Sequence, residues 1–416
     1  MFRSSNTGLY HRVWCRAYPG SHVLAKIALF FFGIALWDKG LTFYAYYLLP
    51  LAWILSGGLG HVRQILKDPF VLGMLALCLV LALGILWSDH PKLGFRVWRR
   101  YVAFLIFIPY LGLLTKERLP WAIGGALIGY FGVLMMGLYQ WLVFGNQGIP
   151  VLRMPYLHFS SMLGVGVILA VYLGGKIREL RSILWLFAAL LLFVQVNQHA
   201  RGILIATLVS SLFLVILLYK KQIKRLLLVV ASLIMSVSVF AYSSPSFHQR
   251  LIEAKQDIGS TEQGNYSSSV GYRFAMWDVG IHGISERPFF GHGTGMATRY
   301  FENTVDTYKG GIYRNLLQFH PTTYHYHNDW IEIGMHLGLL GLFSYFFFLF
   351  SWFKTFITHG EGTLGAALIC FVFFCGLTDY LVFFRQTMYL LVVITALSIY
   401  IGSQRFGFVH SRPESR

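Results

Sequence analysis

The residues best suited to chemistry lie in one short run, His325-Tyr326-His327-Asn328-Asp329-Trp330. A histidine can take up a proton near neutral pH, because imidazole titrates in that range. His327 and His325 are therefore candidate catalytic bases, with Asn328 and Asp329 in support. Two other readings fit the same run. His-x-His with an aspartate could ligate a metal ion, or the histidines could lie at a membrane surface with no task. Arginine offers a second chemistry, since its fixed fork of donors matches phosphate oxygens. Arg201 stands in an abrupt polar break, Asn-Gln-His-Ala-Arg-Gly, between two apolar runs. At that depth an arginine marks either a site or a snorkelling side chain. Arg273 lies one turn before Trp277, and Arg96, Arg99 and Arg100 cluster with Lys92 in residues 88–100. Asp379 falls inside an apolar run, six residues before Arg385. An acid there is either functional or half of a structural ion pair. Glu332 and His336 are four residues apart and could pair on one helix face.

Several chemistries lack their residues. No phosphate-binding loop of the Walker type occurs, so ATP hydrolysis is not expected. No Asp-x-Asp is present, which argues against the divalent-metal clamp of nucleotide-sugar transferases, and no Gly-x-Ser-x-Gly elbow is found. Four scattered cysteines suggest neither a disulfide framework nor a zinc site. Neither a metal ion nor a cofactor is expected.

The elements that must hold these residues are membrane helices. Of 416 residues, 56% are hydrophobic and 12% charged, about half the charged fraction of a soluble domain. Apolar runs cover residues 23–37, 41–58, 70–88, 101–115, 121–144, 157–174, 183–197, 202–219, 226–243, 333–353, 364–384 and 387–402. The expected fold is an all-α polytopic membrane protein of about twelve spans. No cleavage site follows the first run, which is therefore expected to remain as a span. The net charge of +17 is read as basic cytoplasmic loops rather than nucleic-acid binding. With Lys-Lys-Gln-Ile-Lys-Arg at 220–225 inside, both termini are expected in the cytoplasm.

On the outer side, residues 244–332 form the one long loop, with more than half of the chain's acidic residues. The expected division is nine spans in 1–243, the periplasmic loop in 244–332, and three spans with a tail in 333–416. Residues 244–269 are Ser/Gln/Gly-rich and read as poorly ordered in part. Val270, Phe274, Trp277, Ile281 and Ile284 recur with helical period, up to Pro288. Gly-His-Gly-Thr-Gly at 291–295 reads as a tight turn. The basic cluster at 88–100 is also outer, against the positive-inside trend. It is either an interfacial amphipathic helix on anionic lipid or a phosphate site.

The order of these pieces carries a resemblance. Ala200-Arg201-Gly202 opens a span. Arg273 and Trp277 follow, then Pro288 and the glycines at 291, 293 and 295, then His327-Asn328, Ile331-Glu332, Gly338 and Gly341. This resembles the O-antigen ligase/polymerase family of bacterial polysaccharide assembly. Where many relatives carry a second glutamate after Glu332, this chain has His336.

The resemblance implies a lipid-dependent, GT-C-like glycosyltransferase of the bacterial inner membrane, active on the periplasmic face and inverting. Its donor would be a glycan on undecaprenyl diphosphate and its acceptor lipid A–core, among membrane lipids. His327 would be the base, with Arg201, Arg273, Arg96, Arg99 and Arg100 on the diphosphate. Asp379, Asn328 and Asp329 would support them. A single dominant outer loop and the extra basic patch favour a ligase over a polymerase. A transporter is the competing class, although no inverted repeat is evident.

Overall fold

The computed structural model describes residues 20–144, 154–198, 200–227, 229, 231, 245–314, 316–319 and 325–405. Among them the regular structure is entirely helical. In chain order the main helices are α1 (Ser21–Ala35), α2 (Lys39–Leu55), α3 (Pro69–Leu83), α4 (Pro91–Val102), α5 (Phe107–Leu113), α6 (Leu119–Phe144), α7 (Tyr156–Lys176), α8 (Arg181–Val196) and α9 (Arg201–Tyr219). Then come α10 (Pro245–Glu262), α11 (Ser269–Glu286), α12 (Ala297–Thr304), α13 (Asp329–Thr358), α14 (Gly362–Thr378) and α15 (Arg385–Arg405). Five of these, α6, α7, α9, α13 and α15, are long and apolar enough to cross a membrane, and α1, α3, α8 and α14 are shorter apolar helices. Most of the run at 226–243 lies outside the described residues, as do residues 1–19 and 406–416 at the termini.

Local sequence explains where helices start. Asp38 and Asp68 cap α2 and α3, accepting from the backbone N–H of Leu41 (2.8 Å) and Phe70 (2.9 Å). Pro69 and Pro91 occupy first-turn positions, where no N–H is needed. Packing then builds one large apolar core within the bundle, with Trp352, Tyr110, Phe32, Phe70 and Phe371 fully buried.

Three expected runs are broken. The run at 101–115 is not one helix. α4 ends at Val102, a 3-10 turn spans Ala103–Ile106, and α5 follows. α14 stops at Thr378, Asp379 is extended (φ −152°, ψ 170°), and a 3-10 turn covers Leu381–Phe383. α13 kinks at Gly338, whose φ of +59° with ψ of −146° is open only to glycine. The N–H groups of Leu339 and Leu340 at that kink donate to the carbonyls of Pro288 (2.7 Å) and Phe289 (3.2 Å). Broken backbone is tolerated at membrane depth when protein groups satisfy it in this way.

The segment at 291–295 explains its glycines here. Gly291, Gly293 and Gly295 all have positive φ. The N–H groups of His292 and Gly293 donate to Met335 and His336 carbonyls, both at 2.9 Å, and Thr294 N–H donates to the Gly84 carbonyl (3.0 Å). The turn thus ties the end of α3 to α13. At the far end, Thr355 of α13 meets Asp68 before α3 (2.8 Å), so the two helices run antiparallel along their length.

Two expectations for the outer segment change. The Ser/Gln/Gly-rich stretch folds as α10, whose Glu253 and Asp257 engage Arg201. In α11 the buried stripe is Tyr272, Ala275, Met276, Val279, Gly280 and Gly283. Phe274 and Ile281 of the expected apolar face are instead exposed, at 50% and 61%. Periodicity marks an apolar stripe but does not say which side of the helix packs against the rest of the protein. The buried stripe packs with Phe301, Tyr326, Ile331 and Met335 into a second, smaller core.

Candidate active site

The site forms where α13 begins and α14 ends. Asn328 caps α13, its side-chain oxygen accepting from Trp330 N–H (2.9 Å) and Ile331 N–H (3.1 Å). Its amide nitrogen donates to the Leu377 carbonyl at 3.1 Å, fixing the start of one helix to the end of the other. Asp329, fully buried, accepts from Tyr345 Oη and Leu381 N–H, both at 3.0 Å. Tyr326 is held on both sides. Its N–H donates to Glu332 (2.9 Å), and its carbonyl accepts from Trp277 Nε1 (3.1 Å). Between these clamps His327 adopts φ +49°, a left-handed conformation costing about 1–2 kcal/mol in a non-glycine residue. Such strain persists only where the surroundings impose it, and it clusters at functional sites.

The clamped backbone presents His327 to Asp379. His327 Nδ1 lies 2.7 Å from Asp379 Oδ1, and Arg273 Nη2 lies 3.9 Å from Oδ2 of the same carboxylate. Asp379 is nearly inaccessible, whereas the His327 side chain keeps about a fifth of its surface exposed. The carboxylate fixes the tautomer: Nδ1 carries the proton, and Nε2 has no partner among the described residues. Asp379 is thus shared by a histidine and an arginine from two other elements.

His325 sits behind this pair. Its ring is 4.2 Å from that of His327 and stacks on Phe383 at 5.0 Å and 12°. Arg100 lies over the Phe383 ring, 4.4 Å from its centroid. Burial, with His327 and Arg100 close by, holds the His325 imidazole well below its ordinary range. It packs as a neutral ring, with both nitrogens unpartnered among the described residues.

One ligand atom each from His325, His327 and Asp379 lie within 4.8 Å of one another, a set that could hold a metal ion. Arg273 beside the carboxylate and Arg100 behind His325 oppose a divalent cation there.

The other sequence candidates are placed as follows. Arg201 opens α9 but turns to Glu253 (2.7 Å) and Asp257 (3.9 Å) of α10. Its neighbour Gly202 packs against Thr378, next to Asp379. Arg96, Arg99 and Arg100 lie on α4 and line a cavity of about 820 Å³. Lys39, His158 and Arg385 line it too. Of these, Lys39 had the signal that singled out residues 88–100, a basic residue in an outer connection. Glu332 and His336 approach to 3.4 Å, too poorly aligned for a hydrogen bond.

Residues 186–346 match the family model described as O-antigen ligase, a span that includes Arg201, Arg273 and His327. Over 223 residues the chain is 26% identical to an uncharacterized protein of Haemophilus influenzae, covering 51% of this chain and 53% of that protein. Over 249 residues it is 24% identical to the O-antigen ligase of Escherichia coli K12, covering 59% of this chain and 58% of the relative. The chain thus spans a little over half the length of the curated relatives it matches. From α8 into α13 the chain therefore resembles the O-antigen ligase family, and the Escherichia coli relative points the same way.

Proposed function

We propose that the protein is an O-antigen ligase of the bacterial inner membrane. It passes polysaccharide from undecaprenyl diphosphate to a sugar hydroxyl of lipid A–core on the periplasmic face. One observation carries this reading: His327 has Nδ1 held by buried Asp379 at 2.7 Å, and its Nε2 has no partner among the described residues. Asp379 orients the ring and stabilises the imidazolium that forms, and Nε2 receives the acceptor's proton. The acceptor oxygen attacks the anomeric carbon on the face opposite the diphosphate, inverting it. Arg273 and Arg201, with Arg96, Arg99 and Arg100, stabilise the charge developing on the departing diphosphate. No metal ion takes part. The framework is GT-C-like, with twelve spans in residues 1–243 and 333–416, residues 244–332 outside, and both termini in the cytoplasm.

The test is reconstitution of the purified protein with lipid-linked glycan and lipid A–core. Glycan appearing covalently on lipid A–core is the expected result. Lengthened glycan still on its lipid carrier would identify a polymerase instead. Movement of the donor across the membrane with no new covalent product would replace the reading with transport.

A further inference from the structure

Arg201 is the first residue of α9, and its guanidinium is bracketed by two carboxylates of α10. Glu253 lies 2.7 Å from Nη2 and Asp257 3.9 Å from Nη1. The two acids are four residues apart, so they share one face of their helix. Side-chain exposures of 38%, 43% and 24% for Arg201, Glu253 and Asp257 leave these contacts within reach of solvent. Ion pairs so exposed are weak and exchange readily.

Little else fixes α10. None of its described side chains is buried, and Ile252 and Ile258 are each 51% exposed. At its C-terminal end the chain passes to α11 through Gly264, whose φ is +81° and where a Cβ would meet nothing within 4 Å. Beside that turn, Thr261 and Tyr266 crowd Gly271 of α11. α10 is therefore an arm joined to α11 at one end and tied to α9 through Arg201, with few buried contacts to resist opening.

We infer that α10 is an acidic latch on Arg201. Glu253 and Asp257 hold the N–H groups of the guanidinium until a diphosphate arrives, which displaces them and frees α10. The inference rests on the transferase reading above, in which Arg201 meets the diphosphate. Carboxylate and phosphate oxygens compete for the same fork. Carboxylates left in place would also face the ligand with two like charges. The positive end of α9 favours either anion, so one replaces the other at small cost. The latch thus lowers the affinity for the donor by the factor that the closed arrangement is worth, and the position of α10 reports whether the site is loaded.

The test uses the full chain in detergent, with radiolabelled farnesyl diphosphate as a soluble probe. The Glu253→Gln, Asp257→Asn double variant keeps the shape and loses both charges. It should bind the probe about fivefold more tightly than wild type, the worth of one exposed ion pair at the top of its usual range. In an Arg201→Gln background the same two changes should leave binding unaltered, because the pair is already broken. Hydrogen exchange gives a second readout. In wild type the probe should speed exchange of the α10 amides, and in the double variant that exchange should be fast without it. Should the double variant fail to fold, Glu253→Gln alone serves, with tightening of at least about twofold. Four results overturn the inference: no binding of the probe by wild type, binding unchanged or weakened in a folded variant, tightening that persists without Arg201, or α10 exchange that the probe slows or leaves alone. Neither measurement involves transfer. A latch that opens in a protein that ligates nothing would stand while the transferase reading fell, and normal ligation over an α10 that never opens would do the reverse.

Discussion

At the scale of single residues, the site depends on two side chains 52 positions apart, His327 and Asp379. A general base contributes about 10²–10⁴-fold to rate. His327→Ala should lose that much ligation while retaining donor binding, because the cations remain. Ligation at the wild-type rate by folded His327→Ala protein would exclude the base assignment. Asp379→Asn keeps the shape but removes the charge that favours the required tautomer and the imidazolium. It should lower turnover with little change in the concentration of donor needed for half-maximal rate. The same variant also releases Arg273 from its carboxylate, so a pure change in donor affinity would instead point to an ion-pair role for Asp379. Arg201→Lys and Arg273→Ala should each slow transfer by about tenfold or more, the worth of one charged hydrogen bond. Both variants transferring normally would leave the diphosphate to the cavity cations alone. His325→Phe should be milder than His327→Ala, since the ring that Phe383 and His327 stack against is preserved.

At the scale of elements, function rests on helices that break where polar groups can catch the loose ends. The kink in α13 at Gly338 needs a conformation closed to other residues, and a Cβ there would collide with the Pro288 carbonyl. Gly338→Ala should therefore cost about 1–3 kcal/mol and lower the melting temperature in detergent. Gly132→Ala is the control, because a Cβ at Gly132 meets nothing within 4 Å and alanine favours a helix. Equal melting of the two variants would show that the kink is not strained. The second break, after Thr378, frees Asp379 from helical geometry and lets it meet His327. Asn328 and Asp329 hold that break open by bonding Leu377 and Leu381. Their contribution is positional, and it explains why the cap of α13 immediately follows the candidate base.

At the scale of the whole molecule, the connections that carry Lys39, Arg100, His158, His327, Asp379 and Arg385 meet at one end of the bundle. Asp68, Thr355, Tyr172 and Glu361 meet at the other. A cysteine placed at Ser260 should react with an impermeant reagent from the periplasm, and one at Gln222 should not. The reverse pattern would move the site to the cytoplasm. Ligation should also survive excess EDTA. Its loss, with recovery on adding Mg²⁺ or Zn²⁺, would assign a metal to His325, His327 and Asp379, whose ligand atoms are close enough to hold one.

The sequence by itself determined what depends on local composition and spacing. Long apolar runs can only be helices when water is excluded, and Asp329 with Glu332 three residues on suits a helix start, one residue past the cap that Asn328 supplies. The histidines therefore had to lie at its mouth. Local pattern could not distinguish an exposed stripe from a core-facing one in α11, nor foresee that polar residues 245–262 would fold as a helix carrying acids for Arg201. Tertiary structure alone decided three things: that Asp379 serves His327 as well as Arg273, that Arg201 turns to α10, and that Lys39 and Arg385 join Arg96, Arg99 and Arg100 around one cavity. The physical reason is common to all three. Each is a contact between elements far apart in the chain, made when packing brings helix ends together, and no period or motif within one segment encodes it.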